Sequence, residues 1–256
     1  MKKVFLFIKN SVKKLGAIFK NALFIKDVKC IVCKLDLKEK NKYCICDNCM
    51  KQLPFQTGRV CYRCGNSMIG GGSYCLHCKQ NQVDYEFARS PFYYEGIIKS
   101  LIYKLKYNNE KYLAPYLSLF LLDELVKQNW NIDIVVPVPL YIKREKKRGF
   151  NQSYLLSSAF EKVLNLPIDT LNLIRTKNTP TQTKLTRVER QTNLTKAFQV
   201  KNKQVFKNKN VLLIDDVFTT GATIEECSSV LKKAGAKNVY AITLAHVKQE
   251  IPFENK

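Results

Sequence analysis

The sequence predicts an α/β chain: a parallel sheet with helices on its faces, preceded by a small cysteine-rich module. Three observations carry that expectation. Beyond residue 85, short apolar runs alternate with segments of helical period. One run, 211–214, is wholly apolar, as a central parallel strand must be when helices cover both its faces. Nine of the ten cysteines lie between Cys30 and Cys78. At 256 residues the chain has room for one large domain and a small module, and it can bury a core without staples.

Residues 1–27 read as a basic amphipathic helix, because Val4, Ile8, Val12, Leu15, Ile18, Phe19 and Leu23 recur at helical spacing among lysines. Such a helix docks on its own protein or lies on an acidic lipid surface. The apolar run after Lys3 is short and broken by Lys9, so no export signal is read. The expected location is the cytoplasm, with membrane association left open. No stretch of about 18 apolar residues is present, so no transmembrane segment is expected. Residues 28–80 form the cysteine module, 79–84 a linker and 85–250 the α/β domain. Within that domain strands are expected at 87–94, 132–138, 211–214 and 239–245. Helices are expected at 97–107, 112–128, 152–164 behind the N-cap Asn151, and 225–234 ended by Gly235.

The cysteines group as Cys30, Cys33, Cys46, Cys49 and Cys61, Cys64, Cys75, Cys78, each a pair of CxxC knuckles. A CxxC turn aims two thiolates at one point, and two such turns make a tetrahedral sulfur site. Zinc suits it, and two structural Zn²⁺ sites of a double zinc ribbon are expected, with no open position for chemistry. Spacing does not separate zinc from an iron–sulfur cluster. Disulfides do not persist in a reducing compartment. Cys44 competes with Cys46 as a ligand, and His77 is read as a bystander.

The formal net charge is +22. Eight thiolates on two Zn²⁺ would bring it to about +18. That balance attracts polyanions: nucleic acid, acidic membrane or phosphorylated small molecules. A lysine-rich composition spread over the whole chain gives the same total.

The most informative segment joins the apolar strand to Asp215 and Asp216, then to Thr219, Thr220, Gly221, Ala222 and Thr223. A hydroxyl-rich turn entering a helix is an anion cradle of backbone N–H groups at the positive end of the helix dipole. It falls at the carboxyl end of a strand, where open α/β sheets bind ligands. Paired carboxylates beside a phosphate site suit ribose hydroxyls and a hydrated Mg²⁺.

This string resembles the PRPP-binding motif of type I phosphoribosyltransferases. Residues 134–140 around Pro137, Val138 and Pro139, the run Arg148-Gly149-Phe150-Asn151-Gln152, and the pattern from Arg175 and Thr176 through Gln182, Leu185, Arg187, Arg190 and Asn193 to Phe198 are similar to the ComF family of competence proteins. That family carries a zinc ribbon before its phosphoribosyltransferase domain. The resemblance spans Cys30 to about Val247 and implies a type I phosphoribosyltransferase-like sheet with flanking helices. It implies a glycosyltransferase acting on PRPP with Mg²⁺, in bacterial competence and the handling of external DNA.

The same resemblance makes 136–140 the pyrophosphate loop and puts Arg148 and the turn Arg148-Gly149-Phe150-Asn151-Gln152 near the leaving group. It makes 175–193 a closing loop that offers Arg175, Arg187 and Arg190. Asp215, Asp216 and Arg148 are the expected catalytic set. Purine-salvage relatives place a carboxylate where Thr219 stands, so a hypoxanthine-type activity is not expected and the acceptor is open. A different reading makes the chain a non-catalytic, PRPP-responsive protein that binds single-stranded DNA through Lys and Arg interleaved with Tyr43, Phe55 and Tyr62. A third makes it a scaffold for DNA-uptake proteins at the inner membrane. Cys227 is read as a small buried residue.

Overall fold

The computed structural model describes residues 28–39, 41–68, 71–178 and 196–248. The amphipathic-helix expectation for 1–27 and the expectations for Arg187 and Arg190 lie outside the described residues.

The centre is a parallel sheet. Strand β6 (Asn210–Phe218) pairs on one side with β3 (Ile134–Pro137) and on the other with β7 (Asn238–His246). The far edge of β7 carries two short strands in succession, β1 (Phe87–Arg89) and β2 (Phe92–Tyr93). The single strand expected over 87–94 is broken at Ser90 and Pro91. Proline has no N–H for the ladder, and Ser90 instead meets the Thr243 hydroxyl at 2.6 Å.

Successive residues of β6 face opposite cores, which explains its continuous apolar run. Leu212 and Ile214 join the face covered by three helices: α3 (Gly96–Tyr107), α4 (Ala114–Gln128) and α6 (Gln152–Leu164). Val211 and Leu213 join the opposite face, under α7 (Ala222–Lys233) and β5 (Phe198–Val200), which forms an antiparallel pair with β4 (Leu173–Arg175). The short helix α5 (Ile142–Arg148) buries no residue, so it left no apolar period in the sequence.

The cysteine module is packed against the sheet domain on both faces. Its two short helices are α1 (Asp47–Lys51) and α2 (Leu76–Gln80). The first cysteine group shares the core of α4, with Tyr43 stacked on Phe120 at 4.0 Å and Lys42 paired with Asp123 at 2.7 Å. The second group shares the core under α7. Gly65, at φ 72°, lies against β1: a Cβ there would stand 2.8 Å from the Ala88 carbonyl oxygen. Residues 79–84, expected as a linker, begin inside α2, and Val83 and Tyr85 are buried.

Candidate functional site

In each cysteine group the four Sγ atoms lie within 4.8 Å of one another. A tetrahedron with Zn–S bonds of about 2.3 Å has sulfur–sulfur edges of about 3.8 Å. Cys33 and Cys46 are 3.8 Å apart, and Cys64 and Cys75 are 3.7 Å apart. A disulfide needs about 2.05 Å. Backbone N–H groups also point at sulfur: Cys46 donates to Cys30 at 3.4 Å and Cys75 to Cys61 at 3.3 Å. These donors favour thiolate over thiol. The donor set therefore fits a thiophilic metal held at two closed sites. Cys46 is in the first group. Cys44 stands outside both, at φ 50° with its sulfur 3.7 Å from the Asn41 carbonyl oxygen. His77 also stands apart, 2.9 Å from the Asn81 amide.

The second candidate site lies at the carboxyl ends of β3 and β6. Strand β6 ends at Phe218, and the chain turns through Thr219, Thr220 and Gly221 into α7. Gly221 holds φ 85°, and a Cβ there would stand 2.7 Å from the Phe218 ring, so glycine alone fits. Thr223 follows Ala222 in the first turn of α7. Pro137, Val138 and Pro139 leave β3 alongside. The Val138 N–H donates to the Ile214 carbonyl at 2.9 Å, and its own carbonyl accepts from the Asn151 amide at 3.0 Å. Asn151 also caps α6, its Oδ1 accepting from the Ser153 N–H at 2.9 Å. One asparagine thus fixes both the loop and the helix start.

The start of α6 then grips the carboxylates. Ser153 Oγ donates to Asp215 at 2.8 Å, and Gln152 Nε2 donates to Asp216 at 3.1 Å. Gln152 in turn accepts from Arg148, whose guanidinium lies over Tyr107 at 5.4 Å. Lys106, near the end of α3, forms an ion pair with Asp216. Burial pushes the Asp215 carboxyl up to about 7, with the Asp216 charge adding to the effect. Burial would raise Asp216 as well, but the Lys106 ammonium outweighs it and holds that carboxyl below the usual range.

Arg175, on β4, reaches the same region with its guanidinium over the Phe198 ring at 5.3 Å. Burial lowers its pKa first and the neighbouring Arg144 charge second, while the Asp215 charge works the other way. An anion bound between two such cations would relieve their repulsion. Cys227 is fully buried, and burial pushes its thiol well up, as fits a packing residue.

The structure therefore brings together Asp215, Asp216, Arg148, Arg175, the turn 219–223 and the loop 137–139. Gln152 was expected only as the last residue of the turn 148–152, and three participants were not singled out at all: Lys106, Arg144 and Ser153. Lys106 left one signal, because it stands four residues after the buried Ile102, on the edge of the apolar stripe of α3. Arg144 left none, being one cation among several in α5.

Among sequence families, the model described as "Phosphoribosyl transferase domain" matches residues 120–256. "Competence protein F" of Haemophilus influenzae is 31% identical over 226 residues, covering 85% of this chain and 96% of that protein. "DNA utilization protein YhgH" of Salmonella typhimurium is 28% identical over 215 residues, covering 82% and 93%. "Competence protein ComFC" of Bacillus subtilis is 28% identical over 212 residues, covering 78% and 83%. The chain belongs to the ComF family of competence proteins, and in it a phosphoribosyl transferase domain follows a module built on two four-cysteine groups.

Proposed function

We propose that this protein binds Mg²⁺-PRPP at the carboxyl ends of β3 and β6 and transfers its phosphoribosyl group during the uptake or use of external DNA. The observation that carries this reading is that Asn151 and Ser153 clamp the loop 137–139 to Asp215, on the strand from whose end the turn 219–223 enters α7. The names of the competence and DNA-utilization relatives supply the biological setting.

In this reading the N–H groups opening α7, with Thr219, Thr220 and Thr223, hold the 5′-phosphate. Asp215 accepts from the ribose hydroxyls and Ser153 keeps it aimed. The loop 137–139 and Arg175 face the pyrophosphate, where negative charge grows as the anomeric bond breaks. Bound Mg²⁺ would supply further charge neutralisation there. Arg148 acts through Gln152, steadying Asp216. No carboxylate stands at Thr219 to take a proton from a purine, so the acceptor is not assigned to that class. The two cysteine groups are read as structural Zn²⁺ sites.

A second reading, binding of single-stranded DNA, is favoured by one surface. Tyr103 and Tyr107 are more than half exposed, their rings 4.9 Å apart, and Arg148 of the cationic helix α5 lies over Tyr107. Stacking rings beside a row of cations suit bases and phosphates. Of the aromatics first expected in that role, Tyr43 stacks on Phe120, whereas Phe55 and Tyr62 touch Phe92 and Phe87 and keep 40% and 53% of their surface exposed. Titration calorimetry of the zinc-loaded protein with Mg²⁺-PRPP, beside Asp215→Asn, tests the main reading. Binding by the native chain that the variant loses supports it. Equal binding by both, or none by either, contradicts it.

A further inference from the structure

A charged lysine beside two carboxylates, Asp216 buried and Asp215 half-buried, is the pattern of a cation site filled by the chain itself. Helix α3 is fixed to the core by Ile98, Leu101, Ile102 and Leu105, so Lys106 leaves it beside the strand ends and not toward solvent. Its side chain is 19% exposed and that of Asp216 is 5%. The ammonium pairs with Asp216 Oδ2, while Gln152 donates to Oδ1 at 3.1 Å. Asp215 stands next in the chain, its Oδ1 accepting from Ser153 at 2.8 Å and from the Asp216 N–H at 2.9 Å. Both carboxylates thus have their directions set by neighbours. Two adjacent carboxylates, one buried and one half-buried, without a compensating positive charge would repel one another and attract a divalent ion.

We propose that Lys106 is a positioning residue of this site, a resident cation that takes the place a divalent ion would otherwise take beside Asp215 and Asp216. This rests on the phosphoribosyl reading for its purpose: the metal then arrives with the ligand and does not occupy the carboxylates beforehand. Lysine suits the task as a compact point charge on a long stem. Arginine would keep the charge, whereas an uncharged chain of similar length would not.

The test is Mn²⁺ uptake by the zinc-loaded full chain in the absence of PRPP, read as loss of the free-ion paramagnetic resonance signal, with thermal unfolding alongside. The native chain and Lys106→Arg are expected to take no ion at the pair. Lys106→Met is expected to take a single ion and to unfold at a higher temperature when Mn²⁺ is present. Lys106→Met with Asp216→Asn is expected to lose that gain. Removing one partner of a buried ion pair is destabilising, so Lys106→Gln, which keeps a donor toward Asp216, replaces Lys106→Met if the latter does not fold. A native chain that already takes an ion, which Asp215→Asn then abolishes, overturns the proposal. So does a folded, uncharged variant that takes none. Calorimetry of the native chain with Mg²⁺-PRPP separates the two ideas. Absent PRPP binding removes the phosphoribosyl reading and leaves the Mn²⁺ comparison standing. Intact PRPP binding without an Mn²⁺ gain removes the role of Lys106 alone.

Discussion

The cysteine module and the carboxylate site are both convergence points for buried polar groups, yet they are built in opposite ways. Each cysteine group gathers four identical ligands from a span of at most twenty residues. The carboxylate site gathers different chemistries from α3, the β3 loop, the start of α6 and the end of β6. The first construction is local and repetitive, and its geometry follows from spacing. The second is long-range, and each member is held by a neighbour on another element. The difference predicts where each will fail: the module on loss of one ligand, the site on a shift of charge or of one loop.

The largest effect is expected within the module. Cys61 is fully buried and its group lies wholly inside the core under α7, while Cys33 is exposed. Structural zinc contributes on the order of 10 kcal/mol to small metal-dependent folds. Cys61→Ser should therefore lower the melting temperature and the zinc content more than Cys33→Ser. Equal losses would erase the distinction between the two groups.

Next comes a pH effect at the carboxylate site. The folded-state value of Asp215, about 7, lies above the ordinary 3.8. The folded chain therefore holds a proton that the unfolded chain releases, and the contribution of Asp215 to stability is complete below pH about 4 and lost as pH rises through about 7. Denaturant unfolding of the ligand-free protein across that window should show a decline, on the order of a few kcal/mol, that Asp215→Asn flattens. A variant with the native slope would place the titrating group elsewhere.

Gly221→Ala is a smaller, local change. The added Cβ meets the Phe218 ring at 2.7 Å and forces an L residue to φ 85°, which costs about 1–3 kcal/mol. PRPP affinity should fall while zinc content stays native. Loss of zinc as well would show that the loop and the module are not independent. The smallest effect belongs to the contact between the two regions. Lys42 and Asp123 are 48% and 28% exposed, so Lys42→Ala should cost about 0.2–1 kcal/mol. A larger loss would mean that the surface pair carries the docking now ascribed to Tyr43 and Phe120.

Legibility followed the same division. The two cysteine groups could be read from spacing, except that the choice of Cys46 over Cys44 needed the fold, and the strand at 211–214 from its continuous apolar character, because each property belongs to a short stretch of chain. The turn 219–223 was legible because a strand, two carboxylates and a small-residue turn stand in one string. What escaped was what depends on partners. Helix α5 buries nothing and so has no apolar stripe. Lys106 looks like any surface lysine until the end of α3 is seen against Asp216. The break between β1 and β2 was written in Pro91, yet the alternative of one longer strand had the same apolar pattern. The cysteine module was expected to be followed by a linker, whereas its two groups belong to cores on opposite faces of the sheet.

The central claim is that Asp215 and the turn 219–223 form a PRPP site. The most direct measurement is calorimetry of the zinc-loaded protein with Mg²⁺-PRPP, comparing the native chain with Asp215→Asn at matched zinc content. The account predicts saturable binding by the native chain and its loss in the variant. No binding by a native chain of full zinc content, or binding that survives the substitution, would contradict it.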